Sequence, residues 1–188
     1  MELITYFLLA HFIGDYPLQN GKIVEFKHRN FGGILLHTGI HLALLLLLFY
    51  PMLHIPEIQW SIGIIFVTHV LIDSAKVYFD NHYPTWHPLI LYLLDQLFHW
   101  GIILIVSWFI IGGLTLEHDF LPKEVTCFLL ISIIVTYFYD VTRWFYQKQN
   151  IKKKTYYPYR RNYKMMIRNF LIVCVAFSVY YFYYFQYL

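Results

Sequence analysis

The sequence predicts an all-α integral membrane protein, a bundle of six spans. Three observations carry that reading. Apolar residues make up 59 % of the chain and charged residues 13 %, about half the charged share of an ordinary soluble domain. The apolar residues gather in six blocks, several of which reach the ~20 residues needed to cross a hydrocarbon core about 30 Å thick. The chain also repeats itself: a shift of 58 residues lays His11 on His69 and Asp15 on Asp73, and likewise His37 on Asp95 and His41 on His99.

The blocks run over residues 2–18, 31–50, 58–78, 88–112, 124–146 and 165–187. The first is the shortest and carries three polar side chains within "LLAHFIGDYPLQ". It has an acidic residue, Glu2, in place of a basic leader and no small-residue cleavage site, so it reads as a retained span. The second and fourth share the patterns "LLHTGIH" and "LLDQLFH" at the repeat offset. Blocks one to four are therefore expected to be a duplicated helix pair, with repeats at about 5–50 and 63–108. Two crossings per unit give both copies the same orientation, which implies a pseudo-twofold axis along the membrane normal. The core domain is then 1–112, and 113–188 is an accessory helix pair with a basic loop at 147–164. Cys127 and Cys174 fall in apolar blocks on different helices and read as buried thiols.

Thirteen of the fourteen Lys and Arg residues fall on one side of this topology. Seven of them stand in "KQNIKKKTYYPYRRNYK": Lys148, Lys152, Lys153, Lys154, Arg160, Arg161 and Lys164. Basic loops stay in the cytoplasm, so both termini are expected outside, and the cell (inner) membrane is the expected location. Beside a bilayer such a loop reads as an orientation signal or a contact for anionic lipid, and nucleic-acid binding is not expected.

The polar residues inside the spans carry the chemistry. His11, Asp15, His69 and Asp73 lie before the inner ends of blocks one and three; His37, His41, Asp95 and His99 follow the inner starts of two and four. At ~1.5 Å per residue all eight sit about 4–17 Å from the cytoplasmic boundary, in one slab. An ionisable side chain within a span costs ~2.5–3.5 kcal/mol or more, so eight of them require a partner. A divalent cation is the most economical one. The i, i+4 spacing puts each pair on one helix face as a two-toothed chelate, and five His with three Asp suit Zn²⁺, Mn²⁺ or Fe²⁺, as one ion or two. A proton relay of His and Asp and a bis-histidine haem are the alternatives, the latter leaving three Asp unexplained. Gln19 and Gln96 extend the polar faces as candidates to orient ligands, and interhelical hydrogen bonding serves them equally. Lys27, Arg29 and Lys76 stand at the mouth, where Lys27 and Lys76 are candidates to steer an anion, although as inside-flanking charges the three need no function. Asp140 and Arg143 are spaced as an ion pair. His28, His54, His82, His87 and His118 fall in loops or at helix ends and are left out of the site.

The blocks "AHFIGDYPLQ" with Lys27, "LLHTGIH", "THVLIDSAK" and "LLDQLFH" resemble, in that order, a bacterial multi-pass membrane family known only as a domain of unknown function. The likeness spans about residues 5 to 100. It implies that the eight ligand candidates, with Gln19, Lys27, Lys76 and Gln96, occupy the family's signature positions, and it implies no activity. A looser similarity to membrane-bound metal-dependent hydrolases rests on the stringing of His and Asp through apolar helices. Three functions compete. A hydrolase would act on a lipid or isoprenoid phosphate, or another membrane-associated ester, at the cytoplasmic face. A transporter would pass a metal ion or proton through the same residues. A structural subunit would use the metal to staple the bundle.

Overall fold

In the computed structural model the chain is helical, with no strand among the described residues, which are 2–83, 87–112, 121–148 and 161–186. Helix α1 (Glu2–Ile13) runs into a wide π-type turn (Gly14–Leu18), followed by α2 (Gly21–Arg29), α3 (Phe31–Leu48) and a short 3₁₀ turn (Tyr50–Met52). Next come α4 (Pro56–His82) and α5 (Pro88–Phe109). Helix α6 (Lys123–Ile133), a second π-type turn (Ile134–Phe138) and α7 (Tyr139–Lys148) form one continuous rod, and α8 (Tyr163–Gln186) closes the chain. Among the described residues, five helices are long and apolar enough to cross a membrane: Phe31–Leu48, Pro56–His82, Pro88–Phe109, Lys123–Gln147 and Tyr163–Tyr183. The first block forms a shorter apolar helix, Leu3–Leu18. Much of the bundle's outer surface is large and apolar, with Leu47, Val67, Leu97, Trp108 and Ile172 all exposed. Such a surface has no stabilising contact in water and a natural one in lipid.

Local chemistry explains the element ends. Pro56 and Pro88 occupy first-turn positions, where the missing N–H costs nothing. Pro17 lies inside the first helical rod, where its ring and absent N–H disrupt the regular ladder; the chain there widens into the π turn. The first connection, a loop in the sequence reading, is instead the helix α2. Asn20 caps it by accepting from the Lys22 and Ile23 backbone N–H groups at 3.0 and 3.1 Å, as short polar side chains do at helix starts. Asn30 ends α2 and caps α3, its side chain accepting from the Gly32 N–H at 2.7 Å. A Cβ at Gly33 would strike the backbone of Phe26 and Lys27, so α2 and α3 pack there through a glycine. That contact holds Lys27 over the bundle.

The core divides into two parts. Away from α2, the ends of α1, α3, α4 and α5 bury a largely apolar cluster that includes Phe7, Leu45, Phe49, Ile58, Ile62 and Ile103. A second cluster joins α1 and α5 to the α6–α7 rod through Leu9, Phe12, Tyr16, Tyr92 and Ile133, with Trp100 and Phe138 packed against it. Both π turns expose carbonyls that lack regular helical partners, and polar side chains from the C-terminal segment supply them. Asn169 donates to Val135 O at 3.0 Å. Arg161 donates to Tyr16 O and Pro17 O at 3.0 and 3.1 Å and lies 5.2 Å from the Tyr137 ring centroid.

Two expectations are adjusted. Cys127 and Cys174 are free but half-buried rather than enclosed, because their helices lie at the bundle's outside. Asp140 accepts from the Asn162 backbone N–H at 3.3 Å, and Arg143 reaches the Met165 sulfur at 3.5 Å. Both thus bind the start of α8. His118, Lys152, Lys153, Lys154 and Arg160 lie outside the described residues, as does the 113 boundary between the two expected domains.

Candidate metal centre

All eight ligand candidates converge between α1, α3, α4 and α5. The i, i+4 spacing works as elementary helix geometry requires: His11 and Asp15, His37 and His41, His69 and Asp73, and Asp95 and His99 each share one face. Asp15 is the hub of one side. Its Oδ1 accepts from His37 Nε2 and from His41 Nε2, both at 3.1 Å, while His11 Nε2 lies 3.5 Å from Oδ2. Asp73 is the hub of the other. Its carboxylate lies 3.6 Å from His37, 3.7 Å from His69 and 3.9 Å from His99. The imidazoles crowd together, with ring centroids 4.1 Å apart for His41 and His69 and 4.0 Å for His69 and His99.

Among the described residues, three overlapping groups have ligand atoms within 4.8 Å of one another: Asp15, His37, His41 and His69; His11, His69 and His99; and Asp73, Asp95 and His99. Several atoms in them are buried without a hydrogen bond, namely His69 Nε2, His99 Nε2 and Asp95 Oδ1. His99 Nε2 and Asp95 Oδ1 stand 3.5 Å apart without bonding each other. An unsatisfied buried polar atom costs about 1–3 kcal/mol. A cation between such atoms would satisfy several at once, and the donor set, imidazole nitrogen with carboxylate oxygen, suits a divalent transition metal.

The four ancillary candidates behave differently. Lys27 Nζ lies 2.8 Å from Asp73 Oδ2. Burial opposes its charge, yet Asp73 first, then Asp15 and Asp95, outweigh that cost and hold its pKa above the ordinary lysine value. Gln19, its amide oriented to satisfy both neighbours, accepts from Lys27 Nζ at 3.2 Å and donates to Asp15 O at 3.1 Å. Gln96 joins the two halves of the centre, since its Nε2 donates to Asp15 Oδ2 at 2.8 Å and to Asp95 Oδ2 at 3.2 Å. Lys76 turns away and pairs with Asp80, four residues on along α4.

Sequence reasoning missed the residues behind Gln96. Its Oε1 accepts from Tyr16 Oη at 2.9 Å and lies 3.3 Å from His11 Nε2. Tyr16 Oη and Tyr92 Oη are 2.8 Å apart, and Thr142 on α7 approaches Tyr92 at 3.5 Å. Gln96 Oε1 only accepts, so the Tyr16 proton points to it and Tyr92 donates to Tyr16. Tyr92 sits one helical turn before Gln96, the one sequence signal that places it on the same face. Arg161 was equally hidden, a member of a charge run whose other role is orientation. Beside Gln96, the residues Ile90, Leu93, Leu97, Trp100 and Phe138 line an apolar cleft of about 350 Å³ on the bundle's flank.

The family described as "Protein of unknown function (DUF3307)" matches residues 3–126, which takes in all eight ligand candidates and the four ancillary ones. No curated protein and no solved structure matches the chain.

Proposed function

The chain belongs to the DUF3307 family, and we propose that it is a multi-pass membrane hydrolase whose His/Asp cluster binds divalent metal. The observation that carries this is the pairing of ligand groups around a shared core, with His69 Nε2, His99 Nε2 and Asp95 Oδ1 buried and unbonded. The group of Asp15, His37, His41 and His69 has the four ligands of a closed site; Asp73, Asp95 and His99 are three, the number that leaves a position for water or substrate.

The 58-residue offset relates these groups. It carries Asp15, His37 and His41 onto Asp73, Asp95 and His99. That correspondence supports a duplicated helix pair with one metal position per half, and Leu3–Leu18 is then the sixth span. The positive-inside rule places the α2 end of the bundle and the basic segment before α8 in the cytoplasm, in a cell (inner) membrane. Asp73, Asp95 and His99 would hold a metal with a position left open, and the chemistry it would supply there is activation of water and polarisation of a phosphoryl or carbonyl oxygen. Lys27 holds negative charge beside it, Gln96 keeps both carboxylates oriented, and the α2 cap with the apolar core limits water. The flanking cleft, about 350 Å³ in volume, is at the small end of ligand pockets. Open at the bundle's flank and apolar apart from Gln96, it suits the hydrocarbon chain of a lipid or isoprenoid phosphate.

Transport is the weaker reading. A permeating ion would meet the apolar cluster of Phe7, Leu45, Phe49, Ile58 and Ile62 beyond the site, and an unpaired charge in such surroundings is prohibitively costly.

The test is elemental analysis of detergent-purified protein, wild type beside His41→Ala with His99→Ala, one ligand from each group. One or two equivalents of Zn, Mn or Fe in wild type, lost in the folded variant, are expected, with phosphate release from a phosphomonoester lipid falling at least 100-fold. Wild type free of metal after chelator-free preparation overturns the proposal.

A further inference from the structure

The charges in the centre constrain what binds with the metal. Three carboxylates, Asp15, Asp73 and Asp95, face five imidazoles and one ammonium, that of Lys27. Imidazoles bind metal in their neutral form, so the protein contributes a net charge of about −2 to the site. Nearby charges do not alter this balance. Lys76 is matched by Asp80, and Arg161 lies on the carbonyls of Tyr16 and Pro17 outside the cluster.

One divalent ion therefore brings the buried centre to neutrality. A second would leave it at about +2, in a place where uncompensated charge is strongly disfavoured. The ligand atoms nonetheless suffice for two ions, because two of the three overlapping groups, Asp15 with His37, His41 and His69 and Asp73 with Asp95 and His99, share no residue. An anion carrying two charges resolves the conflict. Its place is marked by Lys27, whose side chain is 11 % exposed and lies against both Asp73 and the Gln19 amide. When Asp73 turns its charge toward a metal, the ammonium is left facing that metal with donors to spare. A phosphoryl group fits: it is dianionic, it bridges two metals through separate oxygens, and it takes a lysine contact as a point charge.

Resting on the metal reading above, we propose that the centre loads in two stages, one metal by itself and a second only together with a phosphate dianion held against Lys27. The substrate thus completes the site, which names the substrate class as a phosphomonoester rather than a carboxylic ester or a phosphodiester. Free phosphate and a lipid headgroup present the same dianion, and the experiment separates them.

The experiment is equilibrium dialysis of the metal-depleted full chain in detergent micelles against Mn²⁺, in chloride buffer. Four conditions are compared: no addition, inorganic phosphate, micelles doped with phosphatidic acid, and micelles doped with phosphatidylcholine. One bound equivalent is expected without phosphate and with phosphatidylcholine. Two are expected with inorganic phosphate or with phosphatidic acid; a rise with only one of these identifies the source. Two coupled Mn²⁺ ions also give an electron paramagnetic resonance pattern distinct from that of a single ion. Lys27→Met removes the ammonium, so the dependence on phosphate should weaken at least tenfold while the first ion still binds. Lys22→Met, on the exposed face of α2, should match wild type. Two equivalents in chloride alone, or one equivalent whatever the anion, overturns the proposal and leaves the metal reading standing. No bound metal under any condition overturns both.

Discussion

Gly14 lies so close to His41 that a single added methyl group would occupy the space of the imidazole ring. The glycine belongs to the π turn ahead of Pro17, and the ring it accommodates donates to Asp15, the next residue along. The widened turn, the absent side chain and the ligand therefore form one device. Gly14→Ala should displace His41 and weaken metal retention at least tenfold, with about 1–3 kcal/mol of lost stability from overpacking. Elemental analysis and thermal melting check this; unchanged metal content would show that His41 is not held by the turn.

The Tyr16 hydroxyl acts on the centre through Gln96. Tyr16→Phe removes the donor to Gln96 Oε1 and frees the amide that keeps Asp15 and Asp95 in place. Losing a partner that orients ligands typically costs 10–100-fold in metal affinity, and that loss is expected here with the helices intact. The Co²⁺-substituted protein provides the spectroscopic check, because its visible bands shift when carboxylate geometry changes. Identical bands and affinity in Tyr16→Phe would remove Gln96 orientation from the account.

Metal removal should destabilise the whole four-helix core, since the ligands come from α1, α3, α4 and α5. Saturation at 100 times the dissociation constant contributes about 2.7 kcal/mol, so chelation should lower the melting temperature by several degrees. Restoring the metal should reverse the shift. A melting curve indifferent to chelator would contradict a shared site between these helices.

Arg161 ties the C-terminal segment to the first helix. Arg161→Ala leaves the Tyr16 and Pro17 carbonyls without their donors, at about 1.5–3 kcal/mol for a charged hydrogen-bonding partner. Hydrogen exchange should rise at residues 14–19 and at the start of α8, with metal content kept within a factor of three. Exchange confined to α8 would mean that the carbonyl contacts contribute nothing to α1.

Much of the centre was legible in the sequence because it obeys two local rules. Paired residues at i, i+4 share a helix face, and equal distance from a helix end means equal depth when all the helices cross one slab. His11, Asp15, His37, His41, His69, Asp73, Asp95 and His99 follow from those rules alone. What lay beyond them depended on packing. Lys27 and Lys76 look alike in sequence, each a lysine near the mouth. One faces the cluster because Gly33 lets α2 lie against α3; the other faces Asp80 on its own helix. Tyr16 and Tyr92, 76 residues apart, meet only through the packing of α1 on α5. Arg161 was concealed by its neighbours, since a run of cations gives no hint that one of them has a buried purpose. Helix α2 was missed because it is only nine residues long and polar on average: Ile23, Val24 and Phe26 are outnumbered by Lys22, Glu25, Lys27, His28 and Arg29, which read as a cytoplasmic loop.

The apolar cluster on the far side of the centre also has an electrical consequence. A membrane voltage drops across the part of a protein that water and ions do not enter, and here that is the stretch filled by Phe7, Leu45, Phe49, Ile58 and Ile62. A charge carried across such a layer does work of about 2.3 kcal/mol per 100 mV. The His/Asp centre lies to one side of it, next to α2, so on the proposed topology an ion entering from the α2 side would reach it without traversing that layer. Occupancy of the proposed metal site would then follow the chemistry of a single compartment, and a change in membrane voltage would neither load nor empty it.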